Sequence, residues 1–144
     1  TDTIQQDQAM YQIYELIMSI KGVGPQTAYY MIIHTNGFTL FKEWRKFASY
    51  AGTAPFPYQS GSSIKGKTKV NQMANKKMKS LLHSCAMSAI IYNPEMKAYY
   101  KRRVEEGKSK MSTINIIRNK ILARIFAVVN RGTPYVNTYG FAAA

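Results

Sequence analysis

The chain has 144 residues, 46% of them apolar, enough for a single domain to bury a core without disulfides or structural metals. Its one cysteine, Cys85, excludes an internal disulfide and a cysteine-rich zinc site and suits a reducing cytosol. Lys and Arg number 20 against seven Asp and Glu, a net charge of +13, and no apolar run is long enough for a membrane span.

Residues 5 to 20 are predicted helical, with Met10, Ile13, Ile17 and Ile20 lining one face. The start lacks an initiator Met and already has a helical pattern, so a fragment of a longer protein is expected. Gly22-Val23-Gly24-Pro25 stops this helix, and a second one runs from about Gln26 to Thr35, where Asn36-Gly37 supplies a left-handed stop. Thr39 is placed to cap a third helix carrying Leu40, Phe41, Trp44, Phe47, Ala48 and Tyr50. From Gly52 to about Val70 the pattern breaks into a Pro-, Gly- and Ser-rich loop. Helix resumes near Asn71 and reaches Tyr92, with Met78, Leu81, Leu82, Cys85, Ala86, Ala89 and Ile90 as its apolar stripe. Asn93-Pro94-Glu95 restarts the chain as a helix that Gly107 ends. A last helix is expected from Ser112, with Ile114, Ile117, Ile121, Ile125 and Val128 inward, up to Arg131-Gly132-Thr133-Pro134. The tail from Tyr135 has no periodicity and is expected to be loose. The resulting fold class is all-α, in one compact domain with four stretches. Residues 1–51 hold the first helix and a helical hairpin, 52–70 the Ser/Gly/Lys loop, 71–134 three further helices, and 135–144 the tail.

Charge is distributed unevenly. No acid lies between Glu43 and Glu95, while Arg45, Lys46, Lys65, Lys67, Lys69, Lys76, Lys77 and Lys79 all do. A solvated face would mix signs, so a one-sign stretch points to a polyanion, and nucleic acid is favoured over an anionic membrane because no amphipathic Lys/Trp helix is present. The run Ile20-Lys21-Gly22-Val23-Gly24-Pro25-Gln26-Thr27-Ala28 is similar to the helix-hairpin-helix motif of DNA-binding proteins. Glycines let the main chain approach a phosphate, and Pro25 starts a helix whose first N–H groups point at the anion. Lys21, Gly22, Val23, Gly24, Gln26 and Thr27 are the candidate contacts, with Lys65, Lys67, Lys69, Lys76, Lys77 and Lys79. A tight turn that only packs two helices uses the same residues. His34 and His83 lack spaced partners, so no metal site is expected on this chain.

The loop reads Tyr50-Ala51-Gly52-Thr53-Ala54-Pro55 and then Tyr58-Gln59-Ser60-Gly61-Ser62-Ser63-Ile64-Lys65-Gly66-Lys67. With the Gly-Val-Gly-Pro turn, Asn75-Lys76-Lys77-Met78-Lys79, Asn93-Pro94, Tyr100 and Gly132-Thr133-Pro134-Tyr135, it resembles the C-terminal domain of the IS110/IS116 family of insertion-sequence transposases over about residues 16 to 136. The resemblance implies a recombinase with a two-domain active site. An N-terminal domain, absent here, would carry acidic ligands for Mg2+, and this domain would supply a serine that links covalently to DNA. That position maps onto Ser60, with Ser62 and Ser63 as rivals. From the loop alone, a serine that merely makes a turn is the commoner role. Lys65, Lys67 and Lys69 would stabilise the charge of a phosphoryl transition state.

No cofactor is expected on this fragment itself. DNA is the expected partner, with self-association of the full-length protein. A guide RNA is a further candidate, since some members are directed by a structured RNA that the element encodes. No membrane partner is expected, and the location implied is the bacterial cytoplasm at the nucleoid. The rival readings are a non-catalytic helix-hairpin-helix DNA-binding module and a DNA-junction or repair accessory domain.

Overall fold

The computed structural model describes residues 2–52 and 72–136, with side chains for residues 7–50, 52 and 76–136. Those residues form an all-helical array: α1 Asp2–Met18, α2 Pro25–His34, α3 Trp44–Ala51, α4 Gln72–Tyr92, α5 Pro94–Glu105 and α6 Lys110–Arg131. The serine loop, with Ser60, Ser62, Ser63, Lys65, Lys67 and Lys69, lies outside the described residues.

α4 and α6 form the central seam because each buries a continuous apolar stripe. Met78, Leu82, Cys85, Ala86 and Ala89 of α4 are buried, and so are Ile114, Ile117, Ile121, Leu122, Ile125, Phe126 and Val128 of α6. Each large side chain removed from water contributes about 1.5–3 kcal/mol, so this seam outweighs any single capping interaction. α4 also meets α2, α3 and α5, while α6 meets α1, α3 and α5, and α1 packs on α2. One apolar cluster therefore runs from Ile17 to Val128.

Three local expectations change. The third helix begins at Trp44, not at a cap on Thr39. After α2 the chain closes a left-handed stop in which Gly37 N–H donates to Ile32 O at 2.8 Å and Asn36 N–H to Ile33 O at 3.2 Å. Positive φ then continues through Asn36, Gly37 and Phe38. Thr35 Oγ1 accepts from Phe38 N–H at 2.9 Å, and the buried Phe38 ring sits edge-on to Phe126 at 5.0 Å. Burying that ring offsets the backbone strain, and Thr39 donates back to Asn36 O instead of capping forward.

α6 starts earlier than expected, at Lys110, because Ser109 caps it by accepting from Ser112 N–H at 3.2 Å. The tail is anchored at its beginning: Tyr135 is half-buried and its N–H donates to Ser19 Oγ at 2.8 Å. Residues 137–144 lie outside the described residues.

Candidate nucleic-acid interface

The turn between α1 and α2 is held by α4 and by the corner that follows it. Gly22 adopts φ +109°, and a Cβ there would come within 2.9 Å of the Ala89 main chain, so only glycine fits. Asn93, fully buried at the α4–α5 corner, donates from Nδ2 to Lys21 O at 3.0 Å. Its Oδ1 accepts from Glu95 N–H and Met96 N–H, so one side chain caps α5 and grips the turn. Thr27 Oγ1 lies 3.2 Å from Cys85 Sγ, which also takes a hydrogen bond from the Gly24 main chain. Burial pushes the Cys85 thiol up, against those two hydrogen bonds, which makes it a packing group and not a nucleophile.

The arrangement sorts the candidate contacts. Lys21 and Gln26 are exposed, while Gly22 and Gly24 are half-buried. Val23 and Thr27 are buried, 6% and 3% exposed, so their side chains face the core and only main-chain groups remain for a ligand. Val23 N–H is already bonded to Ile20 O. The N–H groups of Gly22, Gln26 and Thr27 have no acceptor among the described residues. Gly24 occupies the N-cap of α2 and has no side chain to cap it, so the positive end of this helix stays open. A Cβ at Gly24 would meet nothing within 4 Å, the opposite of Gly22.

Lys76, Lys77 and Lys79 are exposed on the first half of α4. The turn packs on Ala89, 10 to 13 residues further along, so these lysines sit about 15–20 Å from it along the helix axis. Among the described residues, the α4 lysines therefore lie apart from the turn along that axis. Among the described residues no three His, Cys, Asp or Glu side chains group as a metal site would require. Nor is any described helix long and apolar enough to cross a membrane.

Comparison with known proteins gives these features a context. Residues 14–101 match the model of the transposase IS116/IS110/IS902 family. The chain belongs to that family. It is 30% identical over 124 residues to the pilin gene-inverting protein of Moraxella bovis, covering 83% of this chain and 38% of that protein. It is 28% identical over 120 residues to an uncharacterized 43.6 kDa protein of insertion element IS110 from Streptomyces coelicolor, covering 83% of this chain and 29% of that protein. The IS900 uncharacterized 42 kDa protein of Mycobacterium paratuberculosis is 28% identical over 125 residues, covering 84% of this chain and 30% of that protein. The chain thus spans between 29% and 38% of the length of these relatives. The family match contains the whole α1–α2 turn, Asn93 and the start of α5.

One group in this transposase-family chain escaped sequence reasoning. Tyr135 OH donates to Glu95 Oε1 at 2.6 Å and lies 3.5 Å from Asn93 Oδ1, while Arg124 of α6 pairs with Glu95. Burial and the Glu95 carboxylate push the Tyr135 hydroxyl up to about 12. Burial also pushes the Glu95 carboxyl up, but hydrogen bonds from Arg124 and Tyr135 and the charges of Arg124 and Lys120 hold it below its ordinary value. The Arg124 guanidinium moves up in step, chiefly through its hydrogen bond to Glu95. Through Ser19, Tyr135, Glu95 and Asn93, the end of α1, the tail and the α5 cap form one polar strap behind the turn. The Asn93-Pro94-Glu95 cap was legible as such, but its long-range partners, 29 to 72 residues away, had no local signal.

Proposed function

We propose that this chain is the DNA-holding, serine-bearing part of a transposase that acts by phosphoryl transfer. The observation that carries the reading is the α1–α2 turn: open amides at the start of α2 beside exposed Lys21, on a main chain fixed by Asn93 and Ala89. Worked as a helix-hairpin-helix, this turn takes a backbone phosphate on the Gln26 and Gly22 N–H groups, with the helix dipole and Lys21 adding charge. Such contacts fix register on the duplex without reading sequence. The distant Lys76–Lys79 cluster contacts the same polyanion further along, which suits a bound strand longer than one phosphate.

In this reading Ser60 is the nucleophile, with Ser62 and Ser63 as the alternatives in the same loop. Its Oγ bonds to phosphorus, its proton passes to a base, and the displaced strand end leaves as a hydroxyl after taking up a proton. Lys65, Lys67 and Lys69 neutralise the oxygens of the phosphoryl transition state. Mg2+, which would polarise the phosphate, belongs with the acidic ligands of a further domain. The described residues offer no such set. The chain by itself is then expected to bind DNA and cleave nothing. A guide RNA, self-association and a place at the bacterial nucleoid are proposals for the full-length protein.

The test is to trap a covalent adduct between the full-length protein and DNA carrying its element ends, and to map the modified residue. An adduct on Ser60, lost in Ser60→Ala, is expected. An adduct on Ser62 or Ser63 would move the nucleophile. DNA binding with no adduct in the intact protein would leave a binding-only module.

A further inference from the structure

We propose that the cleft between α5 and α6 is a second phosphate-binding face, built on Tyr99, Arg102 and Lys120, that holds the same nucleic acid as the turn. The proposal rests on the nucleic-acid reading above and adds a site to it. Glu95, Ala98, Tyr99 and Arg102 fall at helical spacing on one side of α5, and with Lys120 of α6 they line a cleft of about 340 Å³. Lys120 Nζ lies 4.6 Å from the Tyr99 ring centroid and Arg102 Cζ 5.2 Å from it. One half-buried ring thus gathers two cations from two helices.

The charges around that ring do not balance. The cleft's one carboxylate, Glu95, is engaged by Arg124 and by Tyr135 OH. Among the described residues, Arg102 and Lys120 form no ion pair, although the Lys120 charge acts on Glu95 and Glu105 and Glu106 follow Arg102 by three and four residues. Two cations gathered on one ring leave the cleft with more positive than negative charge, which a bound anion would offset. A phosphodiester supplies one negative charge with several acceptor oxygens. Lys97 and Lys101, both exposed on α5, extend the positive surface beyond the cleft.

Position supports a shared ligand. Asn93, which grips the turn, is also the N-cap of α5, and Tyr99 and Arg102 follow it by six and nine residues. At 1.5 Å per residue the cleft is about 9–14 Å from the turn along α5. That is about three or four nucleotide steps at 3.4 Å each, close enough for one duplex to touch both.

Two measurements on the 144-residue chain test this. First, titrate a fluorescein-labelled duplex by anisotropy over a KCl series. R102A/K120A should weaken binding roughly tenfold at low salt and flatten the slope of log K against log salt by about two, as loss of two phosphate contacts requires. R102K/K120R, which keeps both charges, should retain most of the wild-type affinity and slope. Unchanged affinity and slope in a variant with wild-type circular dichroism would overturn the proposal. Second, label lysines of the unaltered protein with an amine-reactive acetylating reagent, with and without duplex DNA or an RNA hairpin. Protection of both Lys21 and Lys120 is expected, and the nucleic acid that protects identifies the source of the phosphate. Protection of Lys21 with Lys120 fully reactive overturns the cleft alone. Absence of any binding or protection overturns the nucleic-acid reading and the cleft with it.

Discussion

The α1–α2 turn and the α5–α6 cleft present positive potential by different means. The turn uses main-chain amides and helix geometry and is held from behind by fully buried groups, Asn93 and Ala89. The cleft uses long side chains gathered on an aromatic ring, and Glu95, the acid that lines it among the described residues, is already paired. The turn is therefore stiff and sensitive to small changes in volume, whereas the cleft is adaptable and sensitive to charge. Stability and binding should separate along that line.

The largest effect should come from Gly22→Val. Its φ of +109° is strained for any L side chain, and the added Cβ would meet the Ala89 main chain at 2.9 Å. Strain and overpacking together should cost about 3 kcal/mol in chemical denaturation. A loss under 1 kcal/mol would mean that the turn is not seated on α4. Asn93→Ala comes next, at roughly 2 kcal/mol, because it removes the α5 cap and leaves Lys21 O without its partner. Asn93→Asp keeps the cap acceptor but sets a carboxylate oxygen against the Lys21 carbonyl in a buried position, so it should recover little of that loss.

Tyr135→Phe should cost about 1 kcal/mol through the lost hydroxyl contacts to Glu95 and Asn93. It also bears on acid stability. The Glu95 carboxyl is held below 4.5 in the folded chain, so its contribution is present above that pH and is lost as pH falls through the lower folded value. Tyr135→Phe should reduce the stability lost between neutral pH and pH 3. An unchanged acid titration would detach Glu95 from the strap.

The smallest stability effect should be at Gly24. A Cβ there meets nothing within 4 Å, and Gly24→Ala should leave stability within about 0.5 kcal/mol while weakening DNA binding where a phosphate must come close. Affinity equal to wild type would show that the ligand does not approach the turn at this point. The paired readouts, stability at Gly22 and affinity at Gly24, separate a packing glycine from a contact glycine.

Sequence by itself determined the helical class, the α4 and α6 stripes, the Asn93-Pro94 cap, the left-handed stop at Asn36-Gly37 and the basic turn. Each of these is written in residues near one another along the chain, where periodicity and capping act. It also carried enough of the family pattern for residues 14–101 to be matched to the IS116/IS110/IS902 transposases. Tertiary structure decided which of the turn's two glycines is irreplaceable, because Ala89, 67 positions away, makes Gly22 a contact point. It also turned Val23 and Thr27 inward, since α4 lies against that side of the turn. Tyr135 became an anchor in a tail that looked loose, and Arg102 and Lys120 met on one ring although they lie on different helices. The physical reason is common to all four. Steric exclusion and charge balance depend on neighbours in space, and helices brought together by an apolar seam choose those neighbours from far along the chain.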